Sequence, residues 1–238
     1  MLTFLGIGAQ KCATSWLYST LATHPDVAFP AGKEVHYWNR PANRRIDWYS
    51  QLFADATTVN GEITPAYALL PLTTIEQIHL SFPDLRLIYL IRNPIQRAWS
   101  SARMALDRAE MRHSEASDQW FIDHFKSHGS LSRGDYESCI RRWRSVFPLN
   151  RIHIVKFESI QADPVGVANK CLAHLGMEAF FSAKDAGQLK QHVLKGDGFE
   201  LRPSLQRVLS AIYTRQIQSL SEYLGEDLSD WRCDEICS

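Results

Sequence analysis

Short apolar runs that alternate with helix-like segments set the pattern of this chain. The runs at 2–7 and 85–91 are too short for helices and predict buried strands. Weaker runs at 57–61 and 151–157 predict two further strands. Because helical segments separate these strands, we expect an α/β fold with a P-loop-like central parallel sheet and helices on both faces.

Proline, glycine and hydroxyl side chains mark the ends of the predicted helices. Thr14 or Ser15 can cap a first helix, and Pro94 can start another. Residues 165–175 and 204–224 predict two more helices, each closed by the glycine that follows. One apolar stripe repeats at helical spacing through Tyr136, Ile140, Trp143 and Phe147.

The length fits one domain of α/β size, or at most two small ones, and because no linker divides the chain we expect a single domain over residues 1–238. The more polar stretch 108–134 is expected to be a helical insertion or a lid within that domain. Apolar residues make up 45% of the chain, which excludes a disordered protein. The 26 basic and 26 acidic side chains balance, which excludes a generally basic nucleic-acid binder and leaves room for a local basic pocket.

The N-terminus and the cysteines favour a cytoplasmic location. The first apolar run lacks a basic flank and reaches Gly8 and Lys11 before a secretory signal is complete. No run approaches the roughly 18 apolar residues of a membrane span. The five cysteines do not have metal-site spacing, and we expect no metal; a Cys233–Cys237 disulfide is the less favoured alternative to free thiols.

The segment Gly8-Ala-Gln-Lys-Cys-Ala-Thr-Ser15 lies between a predicted strand and a predicted helix. Backbone amides at a helix start point at one spot, and the first turn favours negative charge. Lys11 adds a cation, while Thr14 and Ser15 add hydroxyl donors. The alternative is a tight turn with a solvated lysine.

This loop differs from the Walker loop of nucleotide triphosphatases. A Walker loop has Gly before its lysine and Ser or Thr after it, whereas Lys11 lies between Gln10 and Cys12. The strand that ends at Ile91 is followed by Arg92, where a Mg²⁺-binding carboxylate would be expected. The pattern therefore argues against metal-dependent phosphoryl transfer.

Arg92 begins a second candidate anion site. It stands at the end of a strand and before a helix that starts at Pro94, and its forked donors suit a phosphate. Ser100 lies about two helical turns further on, and Arg97 is interpreted either as a surface ion-pair partner or as a ligand contact. Two such sites at the ends of parallel strands suggest one ligand with two separated phosphate-like groups.

Five stretches, in order, resemble sulfotransferases that use 3′-phosphoadenosine 5′-phosphosulfate (PAPS), in the branch with the heparan-sulfate and bacterial enzymes. They are the loop at 8–15, Lys33-Glu-Val-His-Tyr-Trp38, Glu62-Ile-Thr-Pro-Ala-Tyr67, the pair Arg92 and Ser100, and Arg133-Gly-Asp-Tyr136. The resemblance implies transfer of a sulfonate group to a hydroxyl or amine of a small-molecule, glycan or lipid acceptor. PAPS is the implied co-substrate.

The resemblance implies a role for each matching residue. The implied donor contacts are Gln10, Lys11, Cys12, Ala13, Thr14, Ser15, Trp16, Arg92, Ser100, Tyr136, Lys195 and Gly196. The implied catalytic residues are Lys11, Glu34 and His36. The implied acceptor contacts are Lys33, Trp38, Glu62 and Tyr67.

Several of these roles have competing interpretations. Glu34 is the preferred general base and His36 its rival, while a surface carboxylate paired with Lys33 is the structural alternative. Glu62 either orients Lys11 or the acceptor, or ends a strand. Ile63 stands where many relatives carry a lysine, and Lys33 is a candidate to replace that cation.

Two other functions remain open at this level. One is a small P-loop nucleotide kinase or NTPase, which the non-Walker loop and Arg92 disfavour. The other is a nucleotide-binding module without catalysis, against which Glu34 and Lys11 together argue. The aromatic residues Tyr37, Trp38, Trp48 and Tyr67 either line an acceptor pocket or belong to the core.

Overall fold

The computed structural model describes residues 1–40, 45–54, 59–191 and 200–232. These residues group into two compact units. The sheet unit comprises Met1–Ile91 and Arg141–Leu194, and the helical unit comprises Arg92–Ile140 and Lys195–Ser238. The expectation of a single domain stays a prediction.

The sheet unit contains one five-stranded sheet in which all paired strands are parallel. Its strands are β1 (Leu2–Gly8), β2 (Val27–Ala28), β3 (Val59–Ile63), β4 (Arg86–Ile91) and β5 (Ile152–Lys156). Their order across the sheet is β2-β3-β1-β4-β5. β1 and β4 are almost completely buried, as expected for central strands covered on both faces.

Eleven α-helices occur in the described part of the chain. They are α1 (Thr14–Leu21), α2 (Ile46–Gln51), α3 (Leu72–Ser81), α4 (Pro94–Arg108), α5 (Asp118–Lys126), α6 (His128–Gly134), α7 (Tyr136–Arg144), α8 (Phe157–Ala162), α9 (Pro164–His174), α10 (Ala186–Gln191) and α11 (Pro203–Leu224). The predicted parallel α/β fold is confirmed.

The strand order places a topological switch between β1 and β4. The chain leaves β1 toward β2 on one side of the sheet, and leaves β4 toward β5 on the other. Parallel connections are right-handed, so α1 and α3, whose connections run in opposite directions across the sheet, cover opposite faces. Open α/β sheets bind ligands at the carboxyl edge of such a switch, where β1 ends at Gly8 and β4 at Ile91.

One local expectation is wrong, and another is confirmed in part. The start of α1 is not capped by Thr14 or Ser15: the N-cap residue is Ala13, in the left-handed conformation, and no side chain caps it. The strand predicted at 57–61 is confirmed over 59–61 and continues to Ile63, while residues 55–58 lie outside the described part of the chain. Within that extension the buried Glu62 carboxylate is satisfied by hydroxyl groups.

Most predicted helix boundaries are confirmed. Pro94 is the first residue of α4, where the side chain of Asn93 accepts a hydrogen bond from the amide of Ile95 at 3.0 Å. Gly176 and Gly225 follow α9 and α11 with left-handed φ angles of 81° and 67°. Such angles favour glycine, which explains why both helices end there.

The stretch 108–134 is helical but its function as a lid stays a prediction. It contains α5 and α6, which meet at Ser127. The hydroxyl of Ser127 donates to the carbonyl of His124 at 2.7 Å and accepts from the amide of Ser130 at 3.2 Å. Among the described residues, no helix combines the length and apolar character needed to cross a bilayer.

Candidate active site

The loop that follows β1 turns sharply before α1. Lys11 and Ala13 both have left-handed backbone angles, with φ of 70° and 68°. The amide of Cys12 donates to the carbonyl of Ala9 at 3.2 Å and closes the turn. Alternating backbone conformations of this kind turn successive amides toward one concavity, which suits an anion.

The hydroxyls and amides at the start of α1 are available to a ligand. The hydroxyls of Thr14 and Ser15 take part in no hydrogen bond with the described residues. The first helical amide bond runs from Leu17 to the carbonyl of Ala13 at 3.1 Å, so the amides of the preceding turn have no helical acceptor. This set of donors fits a phosphate-sized anion.

The other predicted loop residues divide by burial. Cys12 and Trp16 are buried, and the indole of Trp16 donates to the carbonyl of Leu189 at 3.0 Å. Gln10 and Lys11 are partly exposed. The structure therefore gives Trp16 a packing role, and the donor contacts of all four residues stay predictions.

The segment Lys33–Trp38 is attached to the end of β3 and to the residues just after it. The amide of Glu34 donates to the carbonyl of Ile63 at 3.0 Å, and the amide of His36 lies 3.5 Å from the hydroxyl of Thr64. Glu34 and His36 adopt left-handed φ angles of 62° and 60°. Such angles are costly outside glycine and persist where the surroundings fix them, commonly at functional sites.

The carboxylate of Glu34 lies between two basic groups. Lys33 Nζ is 2.6 Å from Oε1, and His36 Nε2 is 3.6 Å from Oε2. Partial burial raises the pKa of Glu34, but the hydrogen bond and charge of Lys33, followed by the charge of His36, outweigh it, so the pKa is below its ordinary value. Glu34 is 46% exposed and therefore open to an acceptor.

His36 is oriented by Asn39, a residue that the sequence pattern did not single out. The Nδ1 atom lies 3.0 Å from Asn39 Oδ1. An amide oxygen only accepts hydrogen bonds, so Nδ1 donates and Nε2 is left facing Glu34. In the sequence, only the three-residue separation of His36 and Asn39 could have indicated this contact. The choice between Glu34 and His36 as base stays a prediction.

Glu62 is the centre of a buried hydrogen-bond network. Its carboxylate accepts from the hydroxyls of Thr64 at 2.6 Å, Tyr67 at 2.7 Å and Tyr49 at short range. Burial raises the pKa of Glu62, while the three hydroxyl donors oppose that effect. Burial and the neighbouring carboxylate also raise the pKa of Tyr67, which keeps its hydroxyl protonated as a donor.

This network also supports the Glu34 segment. The hydroxyl of Tyr67 accepts from the amide of Trp38 at 3.4 Å, and Thr64 faces the amide of His36. Glu62 and Tyr67 are fully buried. Both residues therefore hold the segment Lys33–Trp38 in place from within the core. That either of them contacts the acceptor stays a prediction.

Replacing Tyr67 by phenylalanine should lower the free energy of unfolding by about 1.5–3 kcal/mol near pH 7, since a donor to a buried carboxylate is lost. Burial raises the Glu62 pKa above its unfolded value, so the carboxyl favours folding below the unfolded pKa. That contribution is lost as the pH rises through the folded pKa. The Tyr67 hydroxyl stabilises the ionised carboxylate, so the wild type loses less of this contribution than the variant. Toward about pH 4 the carboxyl is protonated in both proteins, and the difference in their free energies of unfolding should shrink.

Urea unfolding monitored by circular dichroism at several pH values measures this difference. Tyr18→Phe is the matched control, because the Tyr18 hydroxyl forms no hydrogen bond among the described residues and its loss should be nearly neutral. Equal stability of Tyr67→Phe and wild type at pH 7 would show that the network contributes nothing.

Three of the four predicted acceptor-pocket aromatics lie together. Tyr37 stacks on Tyr49 with ring centres 4.3 Å apart, and Trp38 and Trp48 lie beside it at 4.9 and 6.2 Å. Tyr37, Trp38 and Trp48 are partly exposed, whereas Tyr67 belongs to the core. Ile63, which stands where many relatives carry a lysine, is also a core residue and packs against Gly6. The cation near Glu34 is instead supplied by Lys33.

The second candidate anion site lies in the helical unit. Arg92 is partly buried and directly precedes Asn93, which caps α4 and whose Nδ2 donates to the carbonyl of Trp231 at 3.0 Å. Ser100 lies in the second turn of α4 and is buried, and its hydroxyl bonds to no described residue. The predicted 3′-phosphate contacts of both residues stay predictions.

The interpretation of Arg97 as a surface ion-pair partner is wrong. Its side chain is fully buried and forms no ion pair within the described residues. Tyr136 is also buried; it starts α7 and lines a cavity of about 260 Å³ together with Pro94, Ile217 and Leu220. The cavity is a candidate ligand site, and donor binding by Tyr136 stays a prediction.

Some predicted features cannot be placed. Lys195, Gly196, Cys233 and Cys237 lie outside the described residues. The side chains of Cys12, Cys139 and Cys171 are buried. The described residues contain no group of three or more His, Cys, Asp or Glu side chains arranged to hold a metal ion.

Comparison with solved structures supports the fold. The crystal structure of a sulfotransferase from Alicyclobacillus acidocaldarius is 25% identical, has a TM-score of 0.75, and covers 98% of this chain and 99% of that one. Mouse sulfotransferase SULT7A1 complexed with PAP is 15% identical, with a TM-score of 0.61 over 94% of this chain and 88% of that one. At that identity the second likeness shows the fold alone.

Sequence comparison identifies the family. Human heparan sulfate glucosamine 3-O-sulfotransferase 6 is 28% identical over 193 residues, which cover 75% of this chain and 53% of the relative. The human 3-O-sulfotransferase 3B1 is 27% identical over 188 residues, 75% of this chain and 47% of the relative. The chain spans about half the length of these curated relatives. A model of the sulfotransferase domain matches residues 3–194, and the chain therefore belongs to the sulfotransferase domain family.

Proposed function

We propose that this chain transfers the sulfonate group of PAPS to a hydroxyl or amine of an acceptor. The observation that carries the proposal is the loop after β1, where Lys11, two unengaged hydroxyls and the start of α1 form a donor set for one anion. Membership of the family supports it, as does the PAP bound in a structural neighbour.

The loop residues would hold the 5′ end of the donor. When bound, PAPS supplies a sulfonate joined to a phosphate leaving group. Thr14, Ser15 and the amides of the first turn of α1 would hold the phosphosulfate, and Lys11 would stabilise the negative charge that develops on the leaving oxygen. None of these side chains carries a negative charge, so none would repel the anionic phosphosulfate.

Glu34 would act as general base for the acceptor. The acceptor oxygen forms a bond to sulfur while the bond from sulfur to the 5′-phosphate oxygen breaks, and the acceptor proton passes to the Glu34 carboxylate. Lys33 and His36 hold that carboxylate at 2.6 and 3.6 Å and keep it ionised. Its exposed position leaves it accessible to a hydroxyl.

Arg92 would bind the 3′-phosphate. Arg92→Ala removes a charge-assisted contact and should cost about 2–4 kcal/mol of binding to adenosine 3′,5′-bisphosphate (PAP). Calorimetry should show a much smaller loss for AMP, which lacks the 3′-phosphate. Arg108→Gln, an exposed cation at the end of α4, serves as control and should change neither affinity. Equal weakening of both ligands by Arg92→Ala would make Arg92 a structural residue.

A glycan is the acceptor class to test first. The named relatives act on heparan sulfate glucosamine, and the partly exposed rings of Tyr37, Trp38 and Trp48 near Glu34 offer a surface on which a sugar ring can pack. The balanced net charge favours a short or neutral acceptor over a long polyanion. The cytoplasmic location expected from the sequence is part of this proposal.

Radiolabelled PAPS tests the function directly. The protein should move the label to at least one member of a panel of glycan, phenol and lipid-headgroup acceptors, without added metal. Glu76→Gln, an exposed carboxylate on α3, should retain this activity. Phosphoryl transfer from ATP instead of sulfonate transfer from PAPS would contradict the proposal.

A further inference from the structure

The buried guanidinium of Arg97 ties three helices of the helical unit together. Arg97 is on α4, and its Nη2 atom donates to the carbonyl and hydroxyl of Ser130 on α6 at 3.0 and 3.1 Å. The same atom lies 3.4 Å from the hydroxyl of Tyr213 on α11. The side chain is 0% exposed.

Two of the three nitrogens of this guanidinium have no hydrogen-bond partner among the described residues. The Nε and Nη1 atoms of Arg97 are buried and form no hydrogen bond in the described part of the chain. Each buried unsatisfied donor costs about 1–3 kcal/mol, and a buried charge without a counter-ion costs several. Such a group is satisfied by a bound water or ion, or is retained for a functional role.

Arg133 adds a second cation near Arg97. Burial, followed by the charges of Arg97 and Arg133, lowers the pKa of His124 and so favours its neutral form. Burial and the charge of Arg97 likewise lower the pKa of Arg133, whose Nη1 donates to the carbonyl of Gly129 at 2.6 Å. Within the described ranges, no carboxylate pairs with Arg97, Arg133 or His124.

Arg97 is on the Ser100 side of α4. Arg97 precedes Ser100 by three residues and Ser101 by four, so the three side chains share one helix face. Ser101 and His124 lie 3.3 Å apart, which brings α5 to the same face. The hydroxyl of Ser100 bonds to no described residue, and its face of α4 thus combines an available donor with a buried charge that no described carboxylate pairs with.

We propose that Arg97 is a positioning residue for the 3′-phosphate of the donor, acting through Ser100 and through its buried positive charge. This inference rests on the proposed function. Arg97 cannot touch the ligand itself, because it is fully buried. It fixes α4, which carries Ser100, against α6 and α11, and it places a buried positive charge on the same face of that helix.

Two variants separate charge from shape. Arg97→Lys keeps the cation, and Arg97→Gln keeps a donor for Ser130 but removes the charge. The readout is the ratio of the dissociation constants of AMP and PAP, measured by calorimetry without metal. We expect Arg97→Gln to lower this ratio about tenfold or more, and Arg97→Lys to keep it within about threefold of wild type. Arg108→Gln should leave it unchanged.

A merely structural Arg97 would give a different pattern. Both variants would then weaken AMP and PAP alike, the ratio would stay at its wild-type value, and the inference would be overturned. If Arg97→Gln does not fold, Ser130→Ala carries the test: loss of one anchor of the guanidinium should lower the ratio about threefold, and an unchanged ratio refutes the inference. Wild-type protein that binds AMP and PAP equally would contradict the proposed function itself.

Discussion

Replacement of Glu34 by glutamine should lower turnover with PAPS by about 10²–10⁴-fold, the range for loss of a positioned general base. Glutamine keeps the shape of the side chain and removes its basicity. The affinity for PAP should hardly change, because the carboxylate would take the acceptor proton and not contact the donor phosphates. Steady-state turnover with labelled PAPS, paired with calorimetry of PAP binding, measures both quantities.

His36→Asn tests the competing assignment in the same assay. If Glu34→Gln keeps near-full turnover while His36→Asn is inactive, the base is His36 and Glu34 is the ion-pair partner of Lys33. About tenfold slowing by both variants would favour a positioning pair over a single base. Glu76→Gln on α3 controls for the loss of an exposed carboxylate and should be fully active.

The pH dependence of turnover distinguishes the two bases independently. The Glu34 pKa lies below the ordinary value of 4.5 because Lys33 and His36 outweigh partial burial. With Glu34 as base, turnover should therefore fall only below pH 4.5. An acidic limb that begins well above pH 4.5 would contradict Glu34 as the base.

Replacement of Lys11 by methionine is expected to lower turnover by about 10²–10³-fold, the usual effect of removing one donor that stabilises developing charge. Methionine keeps the length of the side chain, and the left-handed backbone at this position is equally demanding for both residues. The loss in turnover should exceed the loss in PAP affinity, since the leaving phosphate gains charge during the reaction.

Lys190→Met provides the control for Lys11, because Lys190 is an exposed cation on α10 of the same unit. It should behave as wild type. Lys11→Met with wild-type turnover would show that the loop lysine is a solvated side chain of a tight turn. The negative charge on the leaving phosphate would then have to be stabilised by other groups.

The parts of the fold that sequence predicts are those with strong local signals. β1 and β4 are uninterrupted apolar runs that are buried on both faces. α4 begins at Pro94 because proline suits a first helical position, and α11 ends at Gly225 because glycine accepts the left-handed angle. The sequence predicts the loop after β1 for the same reason, because Gly8–Ser15 interrupts the apolar pattern between a strand and a helix.

Other parts depend on contacts between residues far apart in sequence. Glu62 continues β3 only because Tyr49, Thr64 and Tyr67 satisfy its carboxylate, and Tyr49 gave no sign of this role. The environment of Arg97 is equally remote: Ser130 and Tyr213 lie 33 and 116 residues away. A charged residue in a polar-looking helix reads as surface until those partners are known.

Calorimetry of the wild-type protein with PAP, and in parallel with ATP and magnesium, tests the central claim most directly. A site for a nucleotide with separate 5′ and 3′ phosphates should bind PAP in the absence of metal and more tightly than ATP with magnesium. Tight binding of ATP that strictly requires magnesium, with weak binding of PAP, would contradict a PAPS-dependent sulfotransferase and indicate a nucleotide kinase or NTPase instead.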